Sequence, residues 1–156
     1  MLRISKLTDY GTMILVHLAV HQGRLNSASD VATGTRLALP TVQKLLKLLA
    51  RSDLVRSVRG AEGGYVLART PATISAADIL DVLEGPLSIT ECSTSESRCE
   101  LEDGCPVGGA WQKINRGIRG ALGETTLAEL AHPPREFPLV DLSARAGRLR
   151  HRLPTS

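Results

Sequence analysis

Three cysteines, Cys92, Cys99 and Cys105, are the only ones in the chain, and all stand in one acidic stretch, ECSTSESRCELEDGCPVGG. Thiolates gathered on one segment bind soft metals or iron–sulfur clusters, and few other roles need three of them. The spacing is six intervening residues and then five. Structural zinc sites usually offer two tight C-x-x-C pairs, which this is not. An odd count argues against a closed disulfide framework, and the stretch is too polar for cysteines that merely pack. A four-ligand cluster would need one ligand more than the cysteines supply.

The remaining composition bounds what must position them. At 156 residues the chain is one domain with an appendage, or one protomer of an assembly. Trp111, Tyr10, Tyr65 and Phe137 are the whole aromatic set, so the core must come from Leu, Val, Ile and Ala. A dimer interface would add burial that so small a core lacks. Residues 1–70 carry ten Lys/Arg against four Asp/Glu, residues 71–108 one against eight, and residues 109–156 eight against four. A basic N-terminal half suits a polyanion, and the acidic middle would repel one. With no signal peptide and no membrane-spanning run legible, the reducing cytoplasm is the expected compartment, with no membrane partner.

Residues 8–22 read as a helix with Thr8 as its N-cap and Tyr10, Ile14 and Leu18 on one face. Ser27 begins a cap for a short helix over 30–35, and Pro40 suits the first turn of the next. Over 40–52, Val42, Leu45, Leu46 and Leu49 form one buried stripe, while Thr41, Gln43, Lys44, Lys47 and Arg51 face outward. Helix, turn and a helix with a basic outer face is the layout of a helix-turn-helix.

Two β-prone runs, from Leu54 and from Tyr65, flank Gly60-Ala-Glu-Gly-Gly and read as a hairpin. A hairpin placed there is the wing of a winged helix, with Arg59 near its tip and glycines such as Gly60 letting backbone approach DNA. Ser75 caps a helix through Glu84, striped by Ile79, Leu80 and Leu83. A long helix then runs from about 109 onward to 130, with Trp111, Ile114, Ile118 and Leu122 as an apolar seam for a second copy. The fold class expected is mainly α with a small β wing: a winged helix-turn-helix over 1–86, a cysteine segment over 87–108, a dimerisation helix over 109–131, and a Pro-rich, basic, mobile tail over 132–156.

No nucleophile–base pair, phosphate loop or carboxylate pair is legible, so an enzyme is not expected. The expected DNA contacts are Thr41, Gln43 and Lys44 at base edges or nearby phosphates, Lys47, Arg51 and Arg56 on the backbone, and Arg59 with Gly60 at the minor groove.

Together LTDYGTMILVHLA, SVRGAEGGYVLAR, DILDVLEGP and the three-cysteine stretch resemble the Rrf2 family of winged-helix transcription regulators, over about residues 1–131. Within it the chain looks most like the regulator of the SUF iron–sulfur assembly genes. The resemblance implies a homodimeric repressor or dual regulator, here expected to repress, reading a pseudo-palindromic site in double-stranded promoter DNA. It also implies one iron–sulfur cluster per subunit, 2Fe–2S or 4Fe–4S, on Cys92, Cys99 and Cys105. Some relatives add a histidine three residues after the last cysteine, where this chain has Gly108. Others use an aspartate from the partner's first helix, a position that Asp9 matches. Glu91, Asp103, His17 and His21 are the other candidates. The alternatives are a nitric-oxide- or redox-sensing regulator of the same fold, or a zinc- or thiol-based one without a cluster.

Overall fold

Among the residues it describes, the computed structural model has six α-helices, one hairpin and a short 3-10 turn (Pro71–Thr73), with the helices and strands in the order α1 (Lys6–Val20), α2 (Ala28–Thr35), α3 (Leu39–Arg51), β1 (Val55–Val58), β2 (Gly64–Leu67), α4 (Ala76–Leu83), α5 (Gly108–Glu124) and α6 (Leu127–Ala131). It describes residues 4–60, 62–86 and 106–132. The cysteine stretch from 87 to 105 and the tail from 133 therefore lie outside the described residues.

Side-chain caps set the start of most helices. Ser27, Ser75 and Thr126 each accept a backbone N–H three residues on, and Asp30, Asp78 and Glu129 return a carboxylate to the cap's own N–H. These reciprocal boxes satisfy donors that a helix start would otherwise leave open. The first helix departs from expectation: it begins at Lys6, capped by Ser5, whose hydroxyl accepts from the N–H of Thr8. Thr8 is thus a buried third-position residue rather than the cap. Its hydroxyl and the N–H of Ser5 donate to the carboxylate of Glu84, the latter at 2.9 Å. A side chain from the end of α4 therefore completes the box that α1 lacks.

The core is aliphatic, as the composition requires. Ile14, Leu15 and Leu18 of α1 pack with Val31, with Val42, Leu45, Leu46 and Leu49 of α3, and with Leu54, Val55, Ile74 and Ile79. All four stripe residues of α3 are fully buried, and Gln43, Lys44, Lys47 and Arg51 on its other face are exposed. β1 pairs antiparallel with β2 in the register Val55↔Leu67 to Val58↔Gly64. Asn26, just before α2, forms a bridge to Tyr65 through two backbone bonds of 3.1 and 2.8 Å, adding a single rung on the outer edge of β2.

The long C-terminal helix is interrupted. α5 stops at Glu124, Thr125 and Thr126 are extended, and Thr126 caps the separate α6. The break is held from outside: the N–H of Ala76 donates to the carbonyl of Thr125, and that of Leu127 to Ile74. Leu127 is fully buried beside α1 and the core. An apolar periodicity that continues through 130 hides this break, because both helices are amphipathic. On α5, Trp111 and Ile114 are exposed, 41% and 46%, whereas Ile118 and Leu122 are half-buried. A bidentate ion pair from Arg119 to Asp81 ties α5 to α4.

Candidate nucleic-acid interface and the anchors of the cysteine segment

The turn between α2 and α3 is tight because Arg36 takes a left-handed conformation (φ 58°) and ends α2. Pro40 then stands in the first turn of α3, whose N-cap, Ala38, offers no side-chain acceptor. The outcome is an exposed helix face carrying Gln43, Lys44, Lys47 and Arg51, with Thr41 half-buried at its edge. Arg56, Arg59 and Gly60 are exposed on the hairpin. Among the described residues, Lys44, Lys47, Arg51, Arg56 and Arg59 have no carboxylate at ion-pair distance. Exposed, unneutralised cations are what a polyanion contacts.

The helix and the wing meet across a groove of about 520 Å³, lined by Ser27, Ala28 and Lys47 on one side and by Ser57, Arg59, Gly60, Gly63, Gly64 and Tyr65 on the other. The structure thus brings Lys47, Arg59 and Gly60 to one groove, while Arg56 lies on the opposite face of the hairpin. The wing glycines divide by cause. Gly60 has φ 126° and open space around it, so it serves the turn and leaves room for a ligand. Gly64 is required internally: a Cβ there would stand 2.8 Å from the carbonyl oxygen of Asn26 and 3.0 Å from its carbon. Both are backbone atoms and cannot swing away. Gly64→Ala is expected to cost about 1–3 kcal/mol of stability, the usual penalty of overpacking. A thermal melt unchanged by that substitution would show that the Asn26–Tyr65 rung is not a constraint.

Of the expected cluster ligands, Cys92, Cys99 and Cys105, with Glu91 and Asp103, lie outside the described residues. The two anchors of their segment are described. At the first, Glu84 closes α4 and binds the start of α1, and these hydrogen bonds, that of Ser5 foremost, hold its carboxyl below the usual range. At the second, Gly108 is the buried first residue of α5. Asp9 is exposed in the first turn of the α1 to which Glu84 is bound. Its carboxylate makes no hydrogen bond or ion pair among the described residues, and the bonds at the start of α1 go to Glu84 instead.

His17 and His21 lie at the other end of α1, about 12 and 18 Å along the helix from Asp9. Their rings stack with centroids 4.3 Å apart, and burial, then His21, lowers the His17 pKa. Among the described residues no group of three His, Cys, Asp or Glu side chains is placed to hold a metal ion. Sequence reasoning missed the Glu84 clasp and the Asn26 rung. Both join residues distant in the chain, and no local pattern signals them.

Residues 4–133 match the family model Rrf2, described as an iron-dependent transcriptional regulator. The HTH-type transcriptional regulator CymR of Bacillus subtilis is 35% identical over 131 residues, 83% of this chain and 90% of that protein. The structure of B. subtilis CymR, described as the global cysteine regulator, superposes with a TM-score of 0.67 at 35% identity, covering 84% of this chain and 97% of the other. The structure of T. potens IscR gives a TM-score of 0.62 at 28% identity, covering 99% and 94%. No helix among the described residues is long and apolar enough to cross a membrane.

Proposed function

The chain belongs to the Rrf2 family of transcriptional regulators, and from that premise we propose that it is a cytoplasmic homodimer that binds promoter DNA and senses an iron–sulfur cluster. The observation that carries the DNA reading is the exposed cationic face of α3 beside the wing, built on four fully buried residues of the same helix. Thr41, Gln43 and Lys44 near the start of α3 reach base edges or nearby phosphates. Lys47, Arg51 and Arg56 contact the sugar–phosphate backbone, and Arg59 with Gly60 enters the minor groove. Two copies place two such helices in successive major grooves of a pseudo-palindromic site. The exposed Trp111 and Ile114 of α5 supply the apolar contact between the copies.

The donor set suits an iron–sulfur cluster: three thiolates in one short stretch, and in Asp9 a carboxylate with no competing partner among the described residues. One cluster per subunit, 2Fe–2S or 4Fe–4S, would supply a link that depends on iron supply and oxidation state. The chain's own residues turn that link into a mechanical one. Asp9 lies on α1, and α1 packs against α2, α3, α4, α6 and β2. A restraint on the start of α1 is therefore transmitted to the helix that carries the reading face. The genes controlled are those of iron–sulfur cluster assembly (the SUF genes), with the loaded dimer as repressor. Glu91 and Asp103 remain nearer in sequence as alternative oxygen ligands.

A second reading is favoured by the 35% identity to a cysteine regulator: the same fold with zinc or free thiols at the cysteines. Absorbance and iron and sulfide analysis of protein purified without oxygen separate the two, because zinc is colourless. A colourless protein would remove the cluster and leave the DNA reading intact. The DNA reading has its own test in Lys47→Ala. Losing one phosphate contact per subunit should flatten the slope of log K against log[salt] by about 1.8 for the dimer. An unchanged slope would take Lys47 off the DNA.

A further inference from the structure

A second groove, of about 630 Å³, lies on the other side of the wing and is basic without an acidic residue in its lining. The hairpin register explains why there are two grooves. Ser57 and Tyr65 alternate with Arg56 and Val66, so the first pair lines the groove shared with Lys47 and the second pair the groove behind it. The far wall of the second groove is the connection from α1 to α2, with His21, Arg24 and Leu25. Arg24 and Arg56 are exposed and have no ion-pair partner among the described residues. Arg69 closes one end, fixed by the carbonyl of Thr73 and, at 3.5 Å, by Asp78. Leu25, 38% exposed, and the half-buried Val66 give the floor an apolar strip.

We propose that this groove is a DNA-backbone site, taking phosphates of the strand that runs on the far side of the wing, outside the base pairs read by α3. The inference rests on the DNA-binding reading and extends it to Arg24 and Arg69. A wing tip that enters a minor groove about 6 Å wide has one phosphate rail on each flank. Lys47 and the start of α2 face one rail. Arg24 and Arg56 face the other, with Leu25 and Val66 against deoxyribose. Arg69, already held by Asp78, shapes the end of the groove and adds partial charge. The footprint on each half-site therefore extends outward beyond the segment that α3 and Arg59 account for.

The test uses the full-length protein and a duplex that the native protein enriches from a randomised pool. The duplex is made in two lengths, one ending at the enriched sequence and one extended by about half a helical turn at each end. Fluorescence anisotropy over a salt series gives affinity and slope for the native protein and for Arg24→Ala and Arg24→Glu, exposed substitutions checked by thermal melt. The native protein should bind the long duplex more tightly and with the steeper slope. Arg24→Ala should lower the long-duplex slope by about 1.8 per dimer, leaving the short duplex within about twofold. Arg24→Glu should remove the length gain entirely. If both variants keep the native gain and slope, the inference is overturned while the DNA reading stands. It is overturned as well if a polyglutamate peptide binds through Arg24 and, once bound, leaves the length gain unchanged, which would assign the groove to an acidic protein partner. A native protein that enriches no duplex would remove the DNA reading itself, and this inference with it.

Discussion

On the proposed cluster, Cys99→Ala purified without oxygen is expected to lack the visible absorbance, iron and sulfide expected of the native protein. Iron–sulfur clusters are held by thiolates, and the chain has three. Removing the middle one leaves two thiolates and one carboxylate for four positions. Asp9→Ala should behave differently. An oxygen ligand binds iron less strongly than a thiolate, so its loss should alter the spectrum and shorten the cluster's lifetime in air rather than prevent assembly. The pair of variants thus separates a ligand that holds the cluster from one that reports it. A Cys99→Ala protein retaining native colour and native regulation would sink the cluster mechanism. A native spectrum in Asp9→Ala would move the fourth ligand elsewhere, first to Glu91 or Asp103.

Leu46→Ala carries the largest effect on stability. Leu46 is fully buried on the inner face of α3, among residues from α1 and β1. Truncating such a leucine costs about 2–5 kcal/mol, through lost transfer energy and the cavity left behind. Small domains have only about 5–15 kcal/mol in total. The melting temperature should fall by about 8 °C or more, and DNA binding should fail on warming before it fails in the cold. Lys47→Ala, one residue along and on the opposite face, should change stability by less than about 0.5 kcal/mol. A Leu46→Ala protein melting with the native one would mean that the stripe does not anchor the reading helix.

The contrast between those neighbours shows what was legible. Val42, Leu45, Leu46 and Leu49 recur at helical spacing, so the sequence separates the buried from the exposed face of α3 without any knowledge of what lies beneath. The hairpin was equally readable from its glycines and β-branched flanks, and the cap at Ser75 from its own side chain. α2 begins at Ala28, two residues before the expected start, because Ser27 of the several candidates there is the cap and Asp30 its box partner. The start of α1 was misplaced by three residues because Thr8 also has a capping side chain. Ser5 won because Glu84 binds both residues from 79 and 76 positions away. The break between α5 and α6 was invisible for a similar reason: backbone bonds from Ala76 and to Ile74 hold Thr125 and Leu127.

By itself, then, the sequence determined the helix faces, the wing, and the ligand chemistry that three thiolates offer. Those properties follow from side-chain type and from periods of two and 3.6, which are local. Only the tertiary structure decided that Glu84 completes the cap of α1, that Gly64 is required by Asn26, and that Arg24 and Arg56 line one groove behind the wing. Each of those depends on segments brought together from distant parts of the chain. Close packing, rather than any local pattern, selects which polar groups meet there and which remain free for a ligand.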